Sequence, residues 1–144
     1  MPLLDPKKFP NAESEGYKKT SEVSSFYNCI AWASGEAGRH WWPNSNMAYW
    51  PEDVPAKTTV NAFLKLFKKQ GYANCADGSH EEGFEKVAIY ALSFVVKHAA
   101  RQLPNGGWTS KIGIGDLDIE HNSIEAIEGP HYGEVVRFLK RPVS

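Results

Sequence analysis

The spacing of apolar positions changes near residue 85, from a helical period to alternating or continuous runs. In TTVNAFLKLFKKQG (58–71), Val60, Phe63, Leu64 and Phe67 recur at i, i+3, i+4 and i+7, which marks one face of a helix. Thr58 or Thr59 can cap it, Lys68 and Lys69 occupy its last turn, and Gly71 can end it. A second helix is predicted in SSFYNCIAWA (24–33), capped by Ser24 or Ser25 and stopped by Gly35 or Gly38. Beyond residue 85 the elements become strands. KVAIYAL (86–92) is almost continuously apolar, as a strand buried on both faces would be. SFVVKHAARQL (93–103) predicts a partner strand with Phe94, Val96, His98 and Ala100 on one face, joined by a tight turn at Ser93. Asn105-Gly106-Gly107 is a turn signal, and GWTSKIG (107–113) predicts a third strand. LDIEHN (117–122) is a short extended piece. SIEAIE (123–128) is one or two helical turns capped by Ser123, and HYGEVVRFLKR (131–141) is a last strand. Helices followed by an antiparallel meander give an α+β fold.

Between these elements the chain is irregular. Residues 1–20, with three prolines, read as an extended arm lying over a single domain of residues 21–144. Residues 39–57 form a long loop rich in tryptophan and proline. Its Trp41, Trp42, Tyr49 and Trp50 either wall a substrate groove or pack as a satellite cluster. The net charge of −1 and pI near 6.5 give no electrostatic reason to expect a nucleic-acid or anionic-membrane partner. No apolar run approaches the ~18 residues that cross a bilayer. The N-terminal residues lack an apolar signal core, so the expected compartment is the cytoplasm, with export by a route needing no N-terminal signal left open. Two cysteines are too few for a disulfide scaffold.

The chemistry that stands out is a thiol at a helix start. Cys29 falls within about one turn of the Ser24 cap, where the positive end of the helix dipole favours the thiolate, the nucleophilic form. The alternative is a small buried core residue. A cysteine nucleophile needs a base and a group to orient that base. His98, inside a strand in an otherwise apolar region, is the first candidate for the base, and His121, beside Asp118 and Glu120, is the second. Asp118, Glu120, Asn28 or Asn122 would orient the imidazole, and the sequence does not choose among them. Arg101, Ser110 and Lys111 line the same sheet end or form a solvated face. No cofactor is expected. His80 and Cys75 are too isolated for a metal site, and neither a phosphate-binding glycine loop nor a dinucleotide fingerprint occurs.

A cysteine on an N-terminal helix followed by a histidine on an antiparallel sheet resembles the papain-like cysteine peptidases. The most similar branch is the compact bacterial NlpC-type cell-wall amidases and endopeptidases. KVAIY (86–90) and VVKHAAR (95–101), in that order after NCIAWA, resemble that branch's two site-bearing strands. The resemblance covers about residues 24–112 and places Lys86 where the family has its basic histidine, with His98 at the third position. It implies a papain-like fold, with N-terminal helices packed on an antiparallel sheet. It also implies a hydrolase cleaving an amide or isopeptide bond of a peptide or peptidoglycan-like substrate through a Cys29 acyl-enzyme. Given Lys86, either His98 or His121 serves as the base, or the chain is a degenerate papain-like module that binds a partner through its aromatic loop.

Overall fold

The computed structural model describes residues 6–21, 42–43, 50–111 and 118–143. Their core is a seven-stranded sheet, antiparallel throughout, covered on both faces. The strands are Tyr17–Ser21 (β1), Ala73–Cys75 (β2), Phe84–Leu92 (β3), Val95–Gln102 (β4), Trp108–Lys111 (β5), Asp118–His121 (β6) and Glu134–Pro142 (β7). Their spatial order is β1-β6-β5-β4-β3-β7-β2. The predicted meander is therefore β3 to β6, and β7 returns to the far side of β3. Both edges come from segments without a strand signal. Residues 17–21 add β1 at one edge, and the polar connection after the helix adds β2 at the other. The N-terminal arm is thus part of the sheet, and a short helix, Ala12–Glu15 (α1), precedes β1. The predicted helix at Ser24 lies outside the described residues.

Val60–Lys69 (α2) forms as its periodicity predicts. The Thr59 hydroxyl oxygen accepts from the Ala62 N–H at 3.2 Å and so satisfies one free donor of the first turn. Gly71 stops the helix at φ +95°, while the Tyr72 N–H closes on the Phe67 carbonyl. Phe63, Leu66 and Phe67 are fully buried against Val87, Ile89, Val96, Ala99 and Leu139 of the sheet. Each such side chain contributes about 1.5–3 kcal/mol by leaving water.

The other face of the sheet carries Ala88, Tyr90, Ala100, Trp108 and Ile119. It is covered by Phe9, α1, Tyr132 and the 3-10 turn Ile124–Ile127 (η1). Ser123 precedes η1 but does not cap it; its hydroxyl donates to the Glu15 carboxylate at 2.7 Å.

The faces along β4 correct one expectation. Tyr90 pairs with His98 but Ala91 pairs with Val96, so Lys97 is an extra residue. This bulge breaks the alternation. Val96 joins the α2 side, and His98 turns to the Tyr90 side. A second irregularity places Val136 between the β3 partners Val135 and Arg137. Phe94, expected on a buried face, lies in the β3–β4 turn and is 91% exposed.

That turn has a two-residue loop, Ser93-Phe94, both with positive φ (51° and 70°), the arrangement usually made by Asn-Gly. A left-handed non-glycine residue costs roughly 1–2 kcal/mol, and glycine costs roughly 0.5–1 kcal/mol in chain entropy. Phe94→Gly is therefore expected to stabilise the domain by up to about 1 kcal/mol, read as a higher urea midpoint at unchanged slope. Gly133 presents the opposite case. Its φ is +81° and an added Cβ would meet the Ala91 carbonyl oxygen at 1.9 Å. Gly133→Ala is expected to destabilise by about 2 kcal/mol or more in the same measurement.

Candidate functional site

The bulge at Lys97 brings His98 over β5, where Ser110 stands, and the β5–β6 register sets His121 beside it. The three side chains form one line of hydrogen bonds. His98 Nε2 lies 3.0 Å from Ser110 Oγ, and Ser110 Oγ lies 2.8 Å from His121 Nε2. His121 Nδ1 then lies 2.8 Å from the Ser123 carbonyl oxygen. All three side chains are buried. The His98 ring is stacked on Tyr132, with centroids 4.2 Å apart and planes 9° from parallel, and meets the edge of Tyr90 at 5.4 Å. Tyr90 is fixed in turn by its hydroxyl, which donates to the Ile124 carbonyl at 2.8 Å. His98 Nδ1, by contrast, is buried and has no hydrogen-bond partner among the described residues. An unpaired polar atom in a packed interior has a cost, so it calls for an explanation.

Both imidazoles are neutral at pH 7. Burial holds His98 well below the ordinary histidine range, and the nearby His121 and His131 push it further down. Burial lowers His121 to about 4, against the opposing pull of the Ser123 carbonyl. A neutral ring has a lone pair free to accept a proton, and the burial that keeps it neutral also weakens it as a base.

Lys86, which the resemblance aligned with the family's basic histidine, has a different role. Its ammonium is fully buried and 2.8 Å from Glu81, 3.6 Å from an Asp77 carboxylate oxygen and 2.9 Å from the Asp77 carbonyl. Lys140 shares Glu81 at 2.8 Å. These pairs tie the 77–81 segment to β3 and β7 and leave the amine engaged.

The remaining sequence candidates are placed as follows. Cys29, Trp41, Tyr49 and Asn28 lie outside the described residues. Trp42 and Trp50 pack against Phe63 at 5.7 and 5.1 Å, on the α2 side of the sheet, so they are not brought to His98. Asp118 pairs with Lys111 across the β5–β6 ladder, and its side chain is not among those described. Glu120 is paired with Lys18 at 3.3 Å, and Asn122 donates to the Glu15 carbonyl. Among the described residues, Ser110 and the Ser123 carbonyl meet the two imidazoles, while Glu120 is engaged by Lys18. Ser110 and Lys111, read as an alternative solvated face, are fully buried. No local signal in the sequence singles out Ser110 for this role. Among the described residues no group of three or more histidine, cysteine or acidic side chains is arranged to hold a metal. Nor is any of their helices long and apolar enough to cross a membrane.

This geometry defines an α+β domain whose antiparallel sheet encloses a histidine–serine–histidine line. Over residues 18–140 the chain matches a family described as a domain of unknown function, DUF7689, and it belongs to that family. No curated protein and no solved structure gives a significant match.

The two buried histidines make stability depend on pH. Their folded values lie below the unfolded value of 6.5, so the unfolded chain binds more protons once pH falls beneath it. The stabilisation is present above pH 6.5 and is lost as pH falls toward about 4 for His121. The slope is about 1.4 kcal/mol per pH unit for each fully uncoupled proton. Urea midpoints measured from pH 7 to 4.5 are expected to drop, and His121→Gln is expected to flatten that drop.

Proposed function

We propose that this chain is a small papain-like cysteine hydrolase that cleaves an amide or isopeptide bond in a peptide or peptidoglycan-like substrate. Cys29 attacks the carbonyl carbon and forms an acyl-enzyme. His98 takes the thiol proton and returns it to the leaving amine, and water then hydrolyses the acyl-enzyme. One observation carries this reading: a neutral, enclosed imidazole is held through Nε2 while its Nδ1 has no hydrogen-bond partner among the described residues. A histidine kept only for structure would be expected to use both ring nitrogens. The paired state of Lys86 supports the same reading, because it leaves His98 and not the lysine as the available base. A second reading, a binding module without hydrolase chemistry, is favoured by the complete burial of His98 and by the strained, exposed Phe94 at the β3–β4 turn.

Iodoacetamide labelling at neutral pH separates the two, with Cys75 as an internal reference. Cys75 sits on the edge strand β2, and burial raises its thiol pKa, so it reports an unactivated thiol. Cys29 is expected to alkylate at least ten-fold faster than Cys75, and His98→Gln to remove that advantage while the circular dichroism spectrum stays unchanged. Equal rates at the two cysteines, or a Cys29 rate indifferent to His98→Gln, would overturn the hydrolase.

A further inference from the structure

The line from Ser123 to His98 can be followed proton by proton. The Ser123 carbonyl can only accept, so His121 donates to it through an Nδ1–H. A neutral imidazole then has a lone pair on Nε2, and among the described residues the hydroxyl of Ser110 meets it. That hydroxyl has one proton. Spent on His121, it leaves Ser110 Oγ facing His98 with a lone pair, so His98 donates from Nε2–H. The remaining nitrogen, Nδ1, is left unprotonated.

We infer that Ser110 and His121 are positioning residues which, anchored on the Ser123 carbonyl, lock His98 in its Nε2–H tautomer and present its Nδ1 as a bare proton acceptor. This rests on the base role proposed for His98 and identifies what orients that base. The device contains no described carboxylate. Glu15 accepts from the Ser123 hydroxyl at 2.7 Å, and Glu120 is engaged by Lys18. An uncharged hydroxyl and a neutral imidazole set the tautomer where the sequence pointed to Asp118, Glu120 or an asparagine. Burial enforces the arrangement, since each member is closed off from water that would supply an alternative partner.

The test is the tautomeric state of each histidine in the full chain at neutral pH, read from two-bond proton–nitrogen correlation spectra with nitrogen-15-labelled histidine. The unaltered protein is expected to show His98 as Nε2–H and His121 as Nδ1–H. In Ser110→Ala, His98 is expected to lose its single tautomer while His121 keeps its own. Ser110→Thr, which restores the hydroxyl, is expected to recover the His98 pattern. A His98 protonated on Nδ1 in the unaltered chain would overturn the lock, whether or not the Ser110 variants fold. So would a His98 spectrum unchanged by Ser110→Ala. The two proposals fail separately. Expected tautomers with a Cys29 alkylation rate indifferent to His98 sink the hydrolase and leave the lock; wrong tautomers with a His98-dependent rate do the reverse.

Discussion

One extra residue in β4 decides where the polar interior of this domain lies. With Lys97 bulged out, Tyr90 and His98 face each other across the central strand pair, on the side away from α2. In regular alternation with Val96, the ring of His98 would point at Phe63, Leu66 and Phe67, an apolar surface without a partner for either nitrogen. The bulge moves it to Ser110, and the lines of hydrogen bonds on that face follow from the move. β-bulges commonly re-aim one side chain in this way. Here the re-aimed side chain is the one on which the proposed chemistry depends.

Two arrangements meet the buried polar side chains on this face of the sheet. At one end of the shared face, Lys86 is neutralised by Glu81 and Asp77, while Gln102 donates to the Gly78 carbonyl at 2.7 Å. At the other end, the histidines are uncharged and linked through Ser110. Burying an unpaired charge is far more costly than burying a hydrogen-bonded neutral group. That difference accounts for ion pairs where a carboxylate loop reaches the sheet, and neutral imidazoles where Tyr132 and Tyr90 close it off.

Much of the secondary structure was legible in the chain. The helix from Val60, the strand over residues 86–92 and the Asn105-Gly106 turn each have a local cause: period, cap, or a residue able to take positive φ. The turn at Ser93 was placed by the break between two apolar runs, and its two residues take positive φ without being glycine. His98 was legible too, as a histidine inside an apolar strand. Ser110 was not, because one hydroxyl on a short strand looks the same whether it faces water or a buried ring. β1 and β2 were equally hidden. Residues 17–21 and 73–75 carry weak strand propensity and are extended because β6 and β7 offer them an unpaired edge.

Local spacing therefore determined the types of α2, β3, β4 and β5 and the set of side chains able to do acid–base work, since those depend on residues a few positions apart. Tertiary structure alone decided which face His98 occupies, that Lys86 is an ion-pair partner, and that Ser110 joins His98 to His121. The first and third follow from register between paired strands, and the second from the 77–81 segment folding onto β3. A shift of one residue in such a register turns every side chain to the opposite face.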